Sequence, residues 1–230
     1  MSRLLVIGHD YVVSSGAIEG RFAERGYDVE YVQVVAPDRL DDPGVDFDFP
    51  NPRDFDAIVV FGARWSAYSD EVASWVKPEL EMLRVADQAE VPVFGICFGG
   101  QMLAQAHGGE VAASPVAEVG PHVVTGIPAV SGIWTQWHYD RFVPPTDAIV
   151  IGANAAAPQA FVLRRNLAVQ FHPEIDGDSL QGWLDDGGSE EARKHGLDPE
   201  VLLEHVRSLD AEIKPRAAAL VDYFLDEVAR

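Results

Sequence analysis

The stretch Val93-Phe94-Gly95-Ile96-Cys97-Phe98-Gly99-Gly100-Gln101 constrains this chain more than any other. A short apolar run passes through Gly-x-Cys-x-Gly into a segment with helical character, the thiol form of a nucleophile elbow. A residue on a sharp strand-to-helix turn has a strained backbone, so its neighbours two before and two after must be small. Gly95 and Gly99 hold those positions. Such a turn lifts the sulfur above the carboxyl ends of the strands, where open α/β sheets place their sites. The helix that follows aims its first amides and its positive dipole end at the sulfur. That favours the thiolate and offers donors to an oxyanion. A free cysteine is more often a small buried hydrophobe; the flanking glycines and the strand-then-helix context point here to a nucleophile.

The remainder of the chain supplies a frame for such a turn. Leu4–Ile7, Val29–Val35, Ala57–Phe61 and Val91–Ile96 read as strands. Between them lie a helix over Ala17–Arg25 stopped by Gly26, a polar loop over 38–54, and a helix capped by Ser69 or Asp70 that runs to Ala89. The Asp46 and Asp48 pair in that loop reads as solvated. Phe98–His107 is a further helix, stopped by Gly108-Gly109. Strands apolar on both faces, separated by helices, imply a parallel sheet covered on both sides. From Glu110 to Phe171 the texture changes to short strand-like runs at 123–124, 149–151, 160–163 and 167–171, read as an antiparallel or mixed extension. From Ile175 the chain is polar and helical; Ile213, Ala217, Leu220, Phe224 and Val228 fall on one apolar face that packs on the domain. The expected architecture is an α/β three-layer sandwich, flavodoxin-like, with a mostly parallel sheet. It forms one domain over 1–230, with a core over 3–175 and a helical extension over 176–230.

Composition excludes several classes. Seventeen Lys and Arg against 37 Asp and Glu give a formal charge of -20, which repels nucleic acid and anionic lipid. One cysteine permits no intrachain disulfide. The apolar run near the N-terminus is too short for a signal segment or a membrane span, so the cytoplasm is the expected location. No P-loop is visible, and no cluster has metal-ligand spacing. No cofactor and no metal are therefore expected.

A thiol nucleophile needs a base. Of the seven histidines, His172 is the best placed, because it ends the apolar run Leu167–Phe171. Pro173 excludes helix and holds the segment extended, so His172 and Glu174 face one side and the carboxylate can orient the imidazole. His195 and His205, on acidic helices, read as solvent-facing.

Gly95-Ile-Cys-Phe-Gly-Gly-Gln101 together with Gln170-Phe-His-Pro-Glu174 resembles the class I, triad-type glutamine amidotransferases. The likeness is to stand-alone domains similar to the amidotransferase half of GMP synthetase, and it covers residues 3–175. Phe61-Gly62-Ala63-Arg64-Trp65-Ser66 sits where the family has its glycine-rich oxyanion loop. Trp137-His138-Tyr139-Asp140 sits where it has a loop beside the glutamine pocket. Gly100 stands where the usual pattern has His, and the oxyanion loop has Gly-Ala where many members have Gly-Gly. The resemblance implies these roles: Cys97 attacks the glutamine amide carbon; the N–H groups of Gly62 and Phe98 hold the oxyanion; His172 moves protons; Glu174 orients it. Gln101, His138 and Tyr139 line the glutamine pocket, although Gln101 also reads as an early-helix residue and His138 as a structural one. The resemblance implies an ammonia-accepting synthetase as a separate partner; with no visible ATP site in this chain, the alternatives are release of ammonia to solvent or no transfer at all. A γ-glutamyl peptide hydrolase with the same site, and a silent binding homologue hinted at by Gly100, are the alternatives. The elbow-cysteine protease/chaperone group usually has His directly after the nucleophile, where this chain has Phe98.

Overall fold

The computed structural model describes residues 1–10 and 16–230. Its framework is one nine-stranded sheet. The strands are β1 (Ser2–Gly8), β2 (Tyr27–Gln33), β3 (Ala57–Val60), β4 (Val93–Ile96), β5 (Glu110–Gly126), β6 (Gly132–Val143), β7 (Ile149–Ala153), β8 (Pro158–Leu163) and β9 (Asn166–Val169). Their order is β2-β1-β3-β4-β9-β8-β7-β5-β6. From β2 to β9 neighbours run parallel, and from β9 to β6 antiparallel.

Alternation along the parallel strands builds both faces. Leu5, Ile7, Ile58 and Val60 join Trp75, Leu83 and Met102 from α2 (Ala73–Gln88) and α3 (Phe98–Ala106) in one core layer. Leu4, Val6, Ala57 and Val59 join Ile18 and Phe22 of α1 (Gly16–Glu24) and Ile213, Ala217 and Leu220 of α6 (Pro199–Tyr223) in the other. Period-2 strands buried on both sides require this three-layer arrangement. The apolar face expected from Ile213 to Val228 is buried along its whole length.

Three expectations about strand and helix bounds need correction. The second strand lies over 27–33, so Val34 and Val35 follow it. Trp137–Asp140 is not a loop but the middle of β6, which forms a long hairpin with β5. The helix expected to be capped by Ser69 or Asp70 starts at Ala73 after a single 3-10 turn, and Ser69 makes no side-chain cap.

The connections place two short helices, α4 (Gly177–Trp183) and α5 (Ser189–Lys194), over the carboxyl ends of β4 and β9. Leu180 and Leu184 anchor them on Leu202 and Val206 of α6. Among the described residues no helix is long and apolar enough to cross a membrane.

Candidate active site

Val169 of β9 pairs with Ile96 of β4. One residue beyond Ile96 is Cys97, and three beyond Val169 is His172. Adjacent parallel strands thus deliver the sulfur and the imidazole to the same sheet end. Cys97 has φ 51° and ψ −107°, the strained elbow expected from the glycines. Its N–H donates to Val169 O at 2.8 Å, and Gly99 N donates to Phe61 O at 3.1 Å. A Cβ at Gly95 would lie 2.5 Å from Gly99 O, and one at Gly99 would lie 2.1 Å from Val60 O. Both positions require glycine. Gly100 also has a backbone reason: a Cβ there would stand 2.8 Å from Val169 O, so α3 sits closer to β9 than a residue with a side chain allows.

His172 is pinned by its N–H, which donates to Thr135 O of β6 at 2.9 Å. Its Nδ1 lies 2.6 Å from Glu174 Oε1. The two side chains meet through a turn at Pro173-Glu174, not through the extended backbone expected. Nε2 is buried and makes no protein hydrogen bond within the described residues. Burial opposes charge on this ring, but the Glu174 carboxylate and the facing Cys97 outweigh it, and the imidazole holds its proton well above the usual histidine range. Trp183 of α4 packs edge-on against the ring at 5.1 Å.

A cleft of about 510 Å³ opens over the sulfur. Gly62, Phe98, Gln101, His138 and Tyr139 all line it, as do Trp183 and Glu191 from the C-terminal helices. The extension is therefore both core packing, through α6, and a wall of the cleft, through α4 and α5. A Cβ on Gly62 would meet His172 Cε1 at 3.1 Å and Cys97 Cβ at 3.7 Å, so Gly62 sits against both. Gln101 is buried, its Nε2 3.5 Å from Gln170 Oε1. His138 is buried with Nδ1 donating to Asp140 O at 2.9 Å and Nε2 3.3 Å from Glu118 Oε2. Tyr139 is partly exposed and stacks on His195. His205 is exposed.

Two features escaped the sequence reading. Gln170, quoted only as part of a motif, donates from Nε2 to Cys97 Sγ at 3.6 Å and accepts from Phe142 N at 3.3 Å. His9 and Glu79 form a second buried pair behind the cleft, with His9 Nε2 3.0 Å from Glu79 Oε2. A signal for it was present. Glu79 falls on the same helical face as Trp75, Leu83 and Ala86, a lone charge in an apolar stripe.

Burial also opposes charge on His9, and it too is overcome, by Glu79 and then by the Gly62 carbonyl, so its proton is held above the usual value. Both rings bind a proton more tightly folded than unfolded. Their contribution to stability is complete below the ordinary imidazole value of 6.5 and is lost as pH rises through the raised values. The urea midpoint is expected to fall between pH 6.5 and pH 9; a flat midpoint would show that both rings are neutral in the folded protein.

A mixed sheet whose parallel half is covered by helices on both faces, with a cysteine elbow and a histidine at one end of it, is the architecture of class I glutamine amidotransferases. The chain belongs to this family, whose model, Glutamine amidotransferase class-I, matches residues 11–182. Among particular relatives it is similar to the GMP synthase (glutamine-hydrolyzing) of Aeropyrum pernix, with 31% identity over 169 residues, 66% of this chain and 30% of that protein. It is also similar to the glutamine amidotransferase-like protein YfeJ of Salmonella typhimurium, with 27% identity over 218 residues, 84% of each chain. The chain thus spans only about 30% of the length of that GMP synthase. The fold is shared with a glutamine amidotransferase from Thermotoga maritima (TM-score 0.83, 24% identity, 98% of this chain and 99% of that one). It is shared equally with one from Methylobacillus flagellatus (TM-score 0.84, 24% identity, 99% and 96%).

Proposed function

We propose that this chain hydrolyses the side-chain amide of glutamine to glutamate and ammonia through a cysteinyl thioester. One observation carries the reading: His172, oriented by Glu174 at 2.6 Å, and a strained Cys97 line the same open cleft. The Cys97 sulfur attacks the amide carbon. The oxyanion is received by the Phe98 N–H at the start of α3 and by the Gly62 loop. His172 gives its proton to the departing ammonia, leaving a γ-glutamyl thioester. Water, relieved of a proton by the now neutral His172, attacks the thioester; glutamate leaves and the sulfur recovers its starting state. Gln101, His138 and Tyr139 bind the amino-acid end. Ammonia goes to a separate acceptor enzyme, the part played within one chain in the longer GMP synthases. A cleft of about 510 Å³ that is open above the sulfur also admits a second reading, a γ-glutamyl compound with a larger leaving group.

Glutamate release from glutamine and from γ-glutamyl peptides, measured in parallel, separates the two readings. An electrophilic glutamine analogue is expected to label Cys97 and to stop turnover. His172→Ala is expected to lower turnover by at least about 10³-fold, with Glu174→Gln the milder change because orientation is weakened and the base is kept. Failure of the analogue to label, with no glutamate from either substrate, overturns the proposal.

A further inference from the structure

His9 and Glu79 are both fully buried, between α2 and the elbow. The imidazole stacks on Trp75 at 5.2 Å and meets the Phe98 ring edge-on at 4.7 Å. Stability does not explain such a pair, since apolar residues of the same volume serve a core as well or better. The geometry supplies another role. His9 Nε2 faces the Glu79 carboxylate at 3.0 and 3.1 Å, and His9 Nδ1 faces the Gly62 carbonyl at 3.0 Å. A carbonyl oxygen only accepts, so Nδ1 donates to it. The Asp10 carboxylate, next in the chain, accepts from Arg64 N at 3.1 Å, so residues 9 and 10 grip the Gly62 loop at two successive points.

A peptide unit is planar and trans, so the N–H of Ala63 points opposite to the Gly62 C=O. With that oxygen tied back to His9, the Ala63 N–H is aimed away from α2, where Gly62 and Ala63 line the cleft. Turning the plane over would present an oxygen where a donor is needed. A charged donor on the carbonyl also draws electron density from the peptide and strengthens its N–H as a donor.

We infer that His9 and Glu79 are positioning residues for the oxyanion loop, setting the Gly62–Ala63 peptide so that its N–H meets the developing oxyanion. This rests on the amide-hydrolysis reading above. Neither side chain touches substrate; both act through the loop. The raised proton affinity of His9 accords with a charged donor at Gly62.

The test uses the full chain and two variants. Glu79→Gln keeps the shape and takes away the anion. The double variant His9→Phe/Glu79→Leu removes the pair without leaving a buried charge unpaired. The expected result is a kcat for glutamine about 10- to 100-fold lower in the double variant, and lower by a smaller factor in Glu79→Gln. KM is expected to stay within about threefold, because the donor acts on the transition state. Alkylation of Cys97 by iodoacetamide forms no oxyanion and is expected to proceed at the wild-type rate in both. A purely structural role would lower alkylation and turnover together, and that result overturns the inference, as does wild-type kcat in the double variant. Should the double variant not fold, Glu79→Gln decides alone by the same two readouts. A wild-type protein that hydrolyses no γ-glutamyl amide sinks the function itself; an active wild type with unchanged variants sinks only this inference.

Discussion

Cys97→Ala is expected to abolish glutamine hydrolysis, by at least about 10⁴-fold, while the protein remains folded. The size of the effect follows from what remains. The proposed oxyanion donors and binding groups survive the substitution and would supply some rate acceleration over water, but no covalent intermediate forms and His172 has no proton to exchange with sulfur. The fold survives because the side chain is small and makes no backbone bond that alanine lacks: the main-chain bonds from Cys97 N to Val169 O and from Gln101 N to Cys97 O are kept. Strain provides a second readout. At φ 51° any residue with a Cβ is uncomfortable, by about 1–3 kcal/mol. Cys97→Gly is therefore expected to be equally inactive yet no less stable than Cys97→Ala, although it buries one methyl fewer. Glutamate release by either variant at a tenth of the wild-type rate would place the chemistry elsewhere, and a marked loss of stability in Cys97→Gly relative to Cys97→Ala would show that the elbow is not strained.

Strands β1, β3 and β4 were legible because their chemistry is uniform, whereas the polar alternation of β2 hid its end. Val6, Ile58 and Phe94 lie in strands with no polar side to confuse the pattern, and each strand stops where a glycine or a helix start intervenes. The β5–β6 hairpin was not legible, for two physical reasons. β5 is broken by Pro115 and Pro121, carries a register shift between Ala113 and Glu118, and shows much of its length to solvent. On β6 the inward face holds Trp134, Gln136, His138, Asp140 and Phe142, three of them polar. A strand that turns polar groups inward gives no apolar alternation, and it does so here because that face supports the cleft: Ser66 Oγ and Tyr68 OH both donate to Asp140, and Gln136 Nε2 donates to Gln159 Oε1 at 2.8 Å. His172 and Glu174 could be paired from spacing alone, since two residues apart is close under almost any local geometry. His9 and Glu79, 70 residues apart, could not. What joins them is the packing of α2 over the end of β1, which no local pattern encodes.

Glycines near the elbow separate requirement from accident, and Gly99→Ala is the strongest case. Its Cβ would stand 2.1 Å from Val60 O, 2.7 Å from Val60 C and 2.9 Å from Val60 Cβ. These atoms belong mostly to the backbone of a central strand paired on both sides, so no rotamer change relieves the contact. Either α3 lifts off the sheet or β3 bends. Overpacking of this kind costs about 3 kcal/mol or more, and in a chain of this length that lowers the thermal midpoint by roughly 6–12 °C. Activity is expected to fall further than stability. Gly99 N holds Phe61 O, the residue before Gly62, so lifting α3 moves the Phe98 N–H and the Gly62 loop apart. The control is Gly20→Ala in α1, where an added methyl meets nothing within 4 Å. There the loss of backbone freedom in the unfolded chain and the better helix propensity are expected to raise stability by about 0.5–1 kcal/mol with turnover unchanged. Measured side by side by thermal melts and glutamate release, the two substitutions differ by one methyl group added to one helix or the other. If Gly99→Ala melts with the wild type, the close approach of α3 to β3 is not a feature of the folded protein, and the oxyanion donors proposed at Phe98 and the Gly62 loop lose the contact that holds them in one frame.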